Sequence, residues 1–344
     1  MTTRRLAVPE GGFRRVAVLR LSSLGDVILA LPVACAMRAA FPTARIEFWT
    51  KEEYADVARF DPSVTHVRAL ERDARRLEDL VSMSAELEDC DLIVDLHSNP
   101  RTRLLTFRQR APVLHAPSYR VRRARWVHAR WSRPPAAPAA LARYAAALAP
   151  LGLDGLSPPR VHAGKEAESW AKEWIAERKL ERPVALAPAA RHATKRWPEE
   201  YWIEIVRRLA DRGLPMLAFS LESERRTLPA LARALDDAPH AAWCNEPVAR
   251  MAALMSRCRS ALTCDSGLMH LAAARGVRVV AMFGSTAPEL GFAPAGEGHA
   301  VLCRHEPCQP CTLHGRERCP RRHFRCMIEL RPDTVWQALE PRLA

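Results

Sequence analysis

The sequence predicts an α/β protein made of two successive parallel-sheet units. Three observations carry that expectation. Short apolar strand-like runs alternate with helix-length segments, as βαβ units require. A Pro- and Gly-rich stretch, 150-PLGLDGLSPPRVHAG-164, interrupts the alternation near the middle. After it the same alternation starts again. The 344 residues suffice for two domains of ordinary size, and 48% hydrophobic content supplies a sizeable core.

The elements follow in order. Residues 14–21 read as a buried strand, and Gly25 to Ala40 as a helix with an apolar stripe, stopped by Phe41-Pro42. RIEFWT at 45–50 and DLIVDL at 91–96 are further strands, with an Arg-rich helix, Glu71 to Leu80, between them. Residues 117–135 form a dense basic run holding Trp126 and Trp131, and a helix follows over about 136–149. Beyond the interruption come strands at 183–188, 214–219, 261–264 and 277–283. The helix at 198–213 begins with Pro and ends in Gly. An amphipathic segment, Pro332 to Leu343, closes the chain as a helix. Two such sheets facing each other would leave a cleft at the carboxyl ends of their strands.

Lys and Arg number 52 against 39 Asp and Glu, a formal charge of +13. That excess points to an anionic partner: nucleic acid, a membrane surface or a phosphorylated substrate. Residues 1–12 carry arginines without the apolar region and cleavage site of a secretory signal. The longest apolar run, Val27 to Met37, contains Pro32 and is too short to cross a bilayer. Of ten cysteines, Cys35, Cys90, Cys244, Cys258 and Cys264 lie in apolar, core-like settings, and five crowd between 303 and 326. Reduced thiols and a cytoplasmic location are the expectation.

Five motifs carry candidate chemistry. Ser22-Ser23-Leu24-Gly25-Asp26 sits at a strand-to-helix turn, where α/β sheets bind ligands, yet it lacks a dinucleotide fingerprint. Its carboxylate would repel a pyrophosphate. Asp26 either favours the positive helix N-terminus or acts as a general base. In 186-LAPAARHATKRWPEEYW-202, Lys195 stands where a helix begins, which its charge disfavours unless an anion is shared there. In 262-LTCDSGLMHLAAARG-276, Asp265-Ser266-Gly267 opens a helix. Asp265 reads as a cap or a ligand group. The N–H groups of 266–268 form an anion site, and His270 lies one turn on. Glu222 and Glu224 follow a strand in 219-FSLESERRTL-228, either as ribose ligands or as a solvated helix start. Last, Cys308-x2-Cys311 precedes Cys319 and Cys326, with His305, His314 and His323 nearby. Such spacing can hold zinc, but without a second C-x-x-C pair a reduced Cys-rich loop is the preferred reading.

Taken together, LRLSSLGDVILALP, TKRWPEEYW and DSGLMHLAAARGVRVVAMFGSTAPE resemble glycosyltransferase family 9, the heptosyltransferase family of lipopolysaccharide core synthesis. The C-terminal CQPC…CPRRHFRCMIELRPDTVWQAL looks like the heptosyltransferase II branch. The resemblance spans nearly the whole chain. It implies a GT-B fold, two Rossmann-like domains with parallel sheets facing a central cleft. The boundaries expected are 1–157 for the acceptor domain, 158–330 for the nucleotide-sugar domain, and 331–344 for a terminal helix near the domain junction. The resemblance further implies inverting, metal-independent transfer from ADP-L-glycero-D-manno-heptose, with no cofactor. Asp26 matches the family's general base, Lys195 the lysine on the donor phosphates, and Asp265 the aspartate near the donor sugar. Ser266, Gly267 and Leu268 match backbone donors to the pyrophosphate, supported by His270, and Glu224 the carboxylate on the ribose. The sequence departs at Ser220, where the family usually has Gly. It departs again at Ala189-Ala190-Arg191, where relatives can use hydroxyls on phosphate.

The basic residues Arg72, Arg75, Arg76, Arg101, Arg103, Arg120, Arg122, Arg123 and Arg125 fall in the first half. They suit an anionic glycolipid acceptor, bearing Kdo carboxylates and phosphates, at the cytoplasmic face of the inner membrane. A nucleic-acid surface using Trp126 and Trp131 is the rival that the transferase motifs leave unneeded. The expected protein is a monomer in peripheral contact with the membrane surface. The alternatives are a family 9 transferase using another nucleotide sugar, a binding protein without catalysis, and an epimerase of related architecture.

Overall fold

The structure is a computed structural model that describes residues 5–70, 77–129 and 136–344. It divides into two units. The first comprises residues up to Ser118 together with Pro138–His162, and the second Tyr119–Ala137 with Ala163–Ala344.

The first unit holds five parallel strands: β1 Arg15–Leu19, β2 Arg45–Lys51, β3 His66–Leu70, β4 Leu92–Asp95 and β5 Val113–His115. Their order across the sheet is β3-β2-β1-β4-β5. The chain therefore builds outward from β1 to β3 on one side and returns to place β4 on the other. The β1/β4 boundary is the topological switch point, where opposed connections open a crevice at the strand ends. Here Leu19 lies in register with Asp95. Central strands are buried along their length, β1 behind Arg15 and β4 throughout, so they read as apolar runs, β4 closed by Asp95. Leu19, Trp49, Met83, Leu87 and Ile93 share one core cluster on this sheet.

The second unit repeats the scheme with β6 Val184–Ala187, β7 Met216–Phe219, β8 Ala241–Cys244, β9 Ser260–Cys264, β10 Arg278–Phe283 and β11 Ala300–Cys303. The order is β11-β10-β9-β6-β7-β8, all parallel, and the switch point falls between β6 and β9. Trp197, Trp202, Leu209, Met282, Trp336 and Leu339 belong to its core. The terminal helix Pro332–Leu339 buries Val335, Trp336 and Leu339 in that core. It is thus part of the second unit's own packing.

The Pro/Gly-rich stretch forms no helix or strand beyond Leu151, and a unit boundary falls within it, between His162 and Ala163. Several other details depart from expectation. The basic helix Arg120–His128, expected within 1–157, groups instead with the second unit. Arg123 stacks over Phe292 at 5.7 Å there. The helix expected over 71–80 is described from Leu77 and runs on to Glu86. Cys35 is exposed rather than in a core, because it falls on the outer face of the helix Leu24–Ala40.

Candidate functional site

In each unit the chemistry-bearing residues gather where the sheet's connections reverse. In the second, β6 leads to a short 3-10 turn, Ala193–Lys195, and β9 leads to Asp265. Lys195 Nζ lies 2.7 Å from Asp265 Oδ2, and both side chains are largely buried. Thr286 Oγ1, beyond the end of β10, donates to the same oxygen at 2.6 Å. The following helix, Gly267–Ala274, has Ser266 at its N-cap position in an extended conformation, without a capping side-chain hydrogen bond. Asp265 is therefore not the cap. Its carboxylate is an ion-pair partner, which removes the simpler reading of that residue. Lys195 also differs from expectation. The helix Glu199–Asp211 begins only after Pro198, so Lys195 precedes it and does not sit in its first turn. Asp265 is the anion that accompanies this lysine.

Ser266, Gly267 and Leu268 present the first N–H groups of the 267–274 helix at the same strand end, and His270 is buried one turn inside. The Ser266 Oγ is buried and has no hydrogen-bond partner among the described residues. Glu224 lies in the short helix Glu222–Arg225 after β7, next to β6 in the sheet, and its Oε2 accepts from Leu221 N at 2.9 Å. Ser220, before it, buries its hydroxyl without a partner among the described residues. Ala189 and Ala190 are buried, and the Ala190 carbonyl accepts from Arg196 Nε at 2.8 Å.

In the first unit, the turn after β1 carries Asp26 as the third residue of the helix Leu24–Ala40. Its Oδ2 accepts from Ser23 N at 3.2 Å and Ser23 Oγ at 3.0 Å. Its Oδ1 meets Arg20 Nη2 at 2.6 Å, with the side chains only 18% and 13% exposed. Burial alone would raise this carboxyl. The Arg20 charge and the Ser23 hydrogen bonds outweigh it and hold Asp26 below the usual carboxylate range. One carboxylate oxygen thus meets the helix terminus and the other the Arg20 guanidinium.

Across the switch point, Asp95 ends β4 fully buried. It accepts from His97 N at 3.0 Å, Ser98 N at 2.9 Å and Thr102 Oγ1 at 2.9 Å, and His115 Nδ1 lies 3.2 Å away. Burial would raise Asp95 as well, but its contacts to His115, Ser98 and Thr102 keep it low. Arg20 Nη1 donates to the Leu96 carbonyl at 2.8 Å, tying this turn to the Asp26 pair. Burial pushes His97 down to about 4, and the charges of Arg20 and Arg101 add to that. Arg20, Asp95, His97 and Thr286 escaped the sequence reading. A charged residue at the end of an otherwise apolar strand, such as Arg20 after VAVL or Asp95 in LIVD, was the available signal.

Of the candidate acceptor arginines, Arg101 stands in the helix Pro100–Thr106 within electrostatic reach of His97, and Arg103 is exposed on the same helix. Arg120, Arg122 and Arg123 lie on the helix 120–128, where Arg122 stacks on Tyr119 at 5.7 Å. Arg72, Arg75 and Arg76 lie outside the described residues, as does Trp131.

Among the described residues no group of three His, Cys, Asp or Glu side chains is arranged to hold a metal ion. Cys308, Cys311, Cys319, Cys326 and His323 line one small cavity, and all ten cysteines are free thiols. Burial pushes Cys326 up to about 12. The loop acts as a brace. Gln309 Nε2 donates to the carbonyls of Phe283, Gly284 and Thr286, and Cys311 N to Ser285. Arg316 N donates to Thr194 Oγ1 at 2.8 Å, beside Lys195.

Residues 81–319 match the model of glycosyltransferase family 9 (heptosyltransferase). Lipopolysaccharide heptosyltransferase 1 of Pseudomonas aeruginosa is 29% identical over 340 residues, 93% of this chain and 92% of the relative. Lipopolysaccharide heptosyltransferase 2 of Salmonella typhimurium is 29% identical over 176 residues, 48% of each chain. Among solved structures, a glycosyltransferase family 9 protein of Veillonella parvula superposes with a TM-score of 0.79 at 21% identity, covering 96% of this chain and 97% of that one. ADP-heptose lipopolysaccharide heptosyltransferase II of Escherichia coli gives a TM-score of 0.70 at 19% identity, with 96% and 98% covered. Both share the two-sheet α/β fold, as the GT-B class requires.

Proposed function

Because this chain belongs to glycosyltransferase family 9, we propose that it moves heptose from ADP-L-glycero-D-manno-heptose onto the anionic inner core of lipopolysaccharide, with inversion at the anomeric carbon. The observation that carries the reading is the buried Lys195–Asp265 pair at the second sheet's switch point, beside the N–H groups of Ser266, Gly267 and Leu268. An ADP diphosphate placed there gains the lysine and the helix-end donors. These offset the charge that grows on ADP as it leaves. Asp265 keeps Lys195 in place before the donor arrives and lies near the donor sugar afterwards. Glu224 takes the ribose hydroxyls and His270 supports the 266–268 turn.

Asp26 serves as the base. Held ionised by Arg20, its carboxylate accepts the proton of the acceptor hydroxyl as that oxygen bonds to the anomeric carbon. The arginines of the first half and of the helix 120–128 draw an acceptor rich in Kdo carboxylates and phosphates. Peripheral contact with the cytoplasmic face of the inner membrane accords with that charge. No helix among the described residues is long and apolar enough to cross a membrane. The C-terminal Cys-rich motif favours the heptosyltransferase II branch, and product linkage read by NMR identifies the position extended.

Two variants test the division of roles. Asp26→Ala should lose about 10²–10⁴-fold in turnover while ADP affinity survives. Lys195→Ala should weaken ADP in titration calorimetry. Loss of ADP binding in Asp26→Ala refutes its role as base. Turnover with a different nucleotide sugar, and none with ADP-heptose, refutes the donor.

A further inference from the structure

The first sheet's switch point holds a group that the transfer chemistry has not used. His97 follows β4 in the turn across from the Asp26 turn, and the two turns are joined through Arg20. One arm of that guanidinium takes the Asp26 carboxylate and the other the Leu96 carbonyl, the residue before His97. The turn itself is rigid, because Asp95 receives the N–H groups of both His97 and Ser98. Yet the His97 Nδ1 is buried without a hydrogen-bond partner among the described residues. Buried polar atoms are normally paired, so an orphan in a preorganised turn at a ligand-binding crevice calls for an outside partner.

We propose that His97 is a positioning residue for the acceptor, hydrogen-bonding a sugar hydroxyl through its imidazole so that the reacting hydroxyl meets Asp26. This rests on the transferase reading above. The charges acting on the ring are Arg20 after β1, Asp26 on the helix 24–40, Asp95 at the end of β4 and Arg101 on the helix 100–106. Their balance, with burial, keeps the imidazole neutral across the physiological range. A neutral imidazole offers one donor and one acceptor, which matches a hydroxyl that donates and accepts in turn. A protonated ring would instead add a second positive charge beside Arg20.

The test compares wild type, His97→Ala, His97→Asn and His97→Gln, with ADP-heptose and a Kdo-bearing lipid acceptor as substrates. Removing one neutral hydrogen bond to a substrate corresponds to about a two- to twelvefold loss. His97→Ala should therefore raise the acceptor KM by about that factor and leave the ADP Kd unchanged. Asn sets its amide near the Nδ1 position and should recover most of the loss, whereas Gln reaches toward Nε2 and should recover less. The acid limb of kcat/KM should not move between wild type and His97→Asn. An unchanged acceptor KM in His97→Ala overturns the proposal, and so does a loss of ADP affinity in parallel with acceptor affinity. If His97→Ala folds poorly by thermal unfolding, the Asn and Gln pair decides, since equal KM values in both remove the Nδ1 contact. If wild type transfers nothing from ADP-heptose, the donor reading has failed. The inference is then judged on acceptor titration into wild type and His97→Asn.

Discussion

Replacing Arg20 with Met isolates the forces on Asp26. The pair is buried, with 13% and 18% of the two side chains exposed and a separation of 2.6 Å. Met keeps the apolar stem of Arg and removes the charge. Removing one member of a buried pair typically costs about 3–5 kcal/mol, because the other charge stays buried and unpaired. The Leu96 carbonyl also loses its 2.8 Å donor. The Ser23 bonds to Oδ2 remain and temper the loss. The sign of the pH dependence follows. In wild type, Asp26 titrates below its unfolded value, so its stabilisation is present above about pH 4 and lost as pH falls through the folded pKa. In Arg20→Met the leading influence left is burial, which raises the carboxyl. The buried charge then opposes folding at neutral pH, and protonation on acidification relieves it. The deficit of the variant against wild type, measured by urea unfolding, should therefore be larger at pH 7.5 than at pH 5. The acid limb of its kcat/KM profile should move to higher pH. A deficit equal at both pH values, or an unmoved acid limb, would refute the account of Asp26 as a carboxylate held ionised by Arg20.

Two further outcomes concern the second unit. Thr286→Val deletes the 2.6 Å donor to Asp265. It should cost about 1.5–3 kcal/mol, the value of a hydrogen bond to a charged group, and weaken ADP as Asp265 shifts against Lys195. Denaturant unfolding and titration calorimetry read both, and wild-type values in both would show that Thr286 does not hold the pair. Gly284→Ala would place a Cβ 2.6 Å from the Thr194 carbonyl and 2.9 Å from Met327 Cε. The turn carrying Lys195 must then give way, and a displacement near 1 Å can cost about 10²-fold in kcat/KM. Unchanged kinetics would mean that the 193–195 turn tolerates the shift.

How much was legible varies with depth in the sheet. All seven strands expected from sequence appear: β1, β2, β4, β6, β7, β9 and β10. The four that escaped, β3, β5, β8 and β11, are the edges of the two sheets. An edge strand has one neighbour and is only partly covered, as in β8 and β11, where most positions are half-buried or exposed. The continuous apolar run that marks a central strand is then not required of it. The site follows the same logic. Asp26, Lys195 and Asp265 could be singled out because each sits where a strand meets a turn. Thr286 could not, because nothing local marks a side chain whose contact is with a carboxylate 21 residues away, and Arg20 carried only the weaker signal of a charge closing an apolar strand.

By itself the sequence determined the alternation of elements, the restart after the 150–164 stretch, the family, and the strand-end positions of the chemical groups. Those are properties of local pattern and of covalent order. The order of strands across each sheet belongs to the tertiary structure, because parallel pairing joins segments far apart in the chain. That order alone puts β1 beside β4 and β6 beside β9. It thereby brings Arg20 to the Leu96 carbonyl before His97, and Lys195 to Asp265. It also decides which carboxylate caps a helix, which holds a lysine, and which is kept ionised in the dark of a sheet's crevice. Those distinctions depend on burial and on the charge opposite, neither of which a residue carries in its own letter.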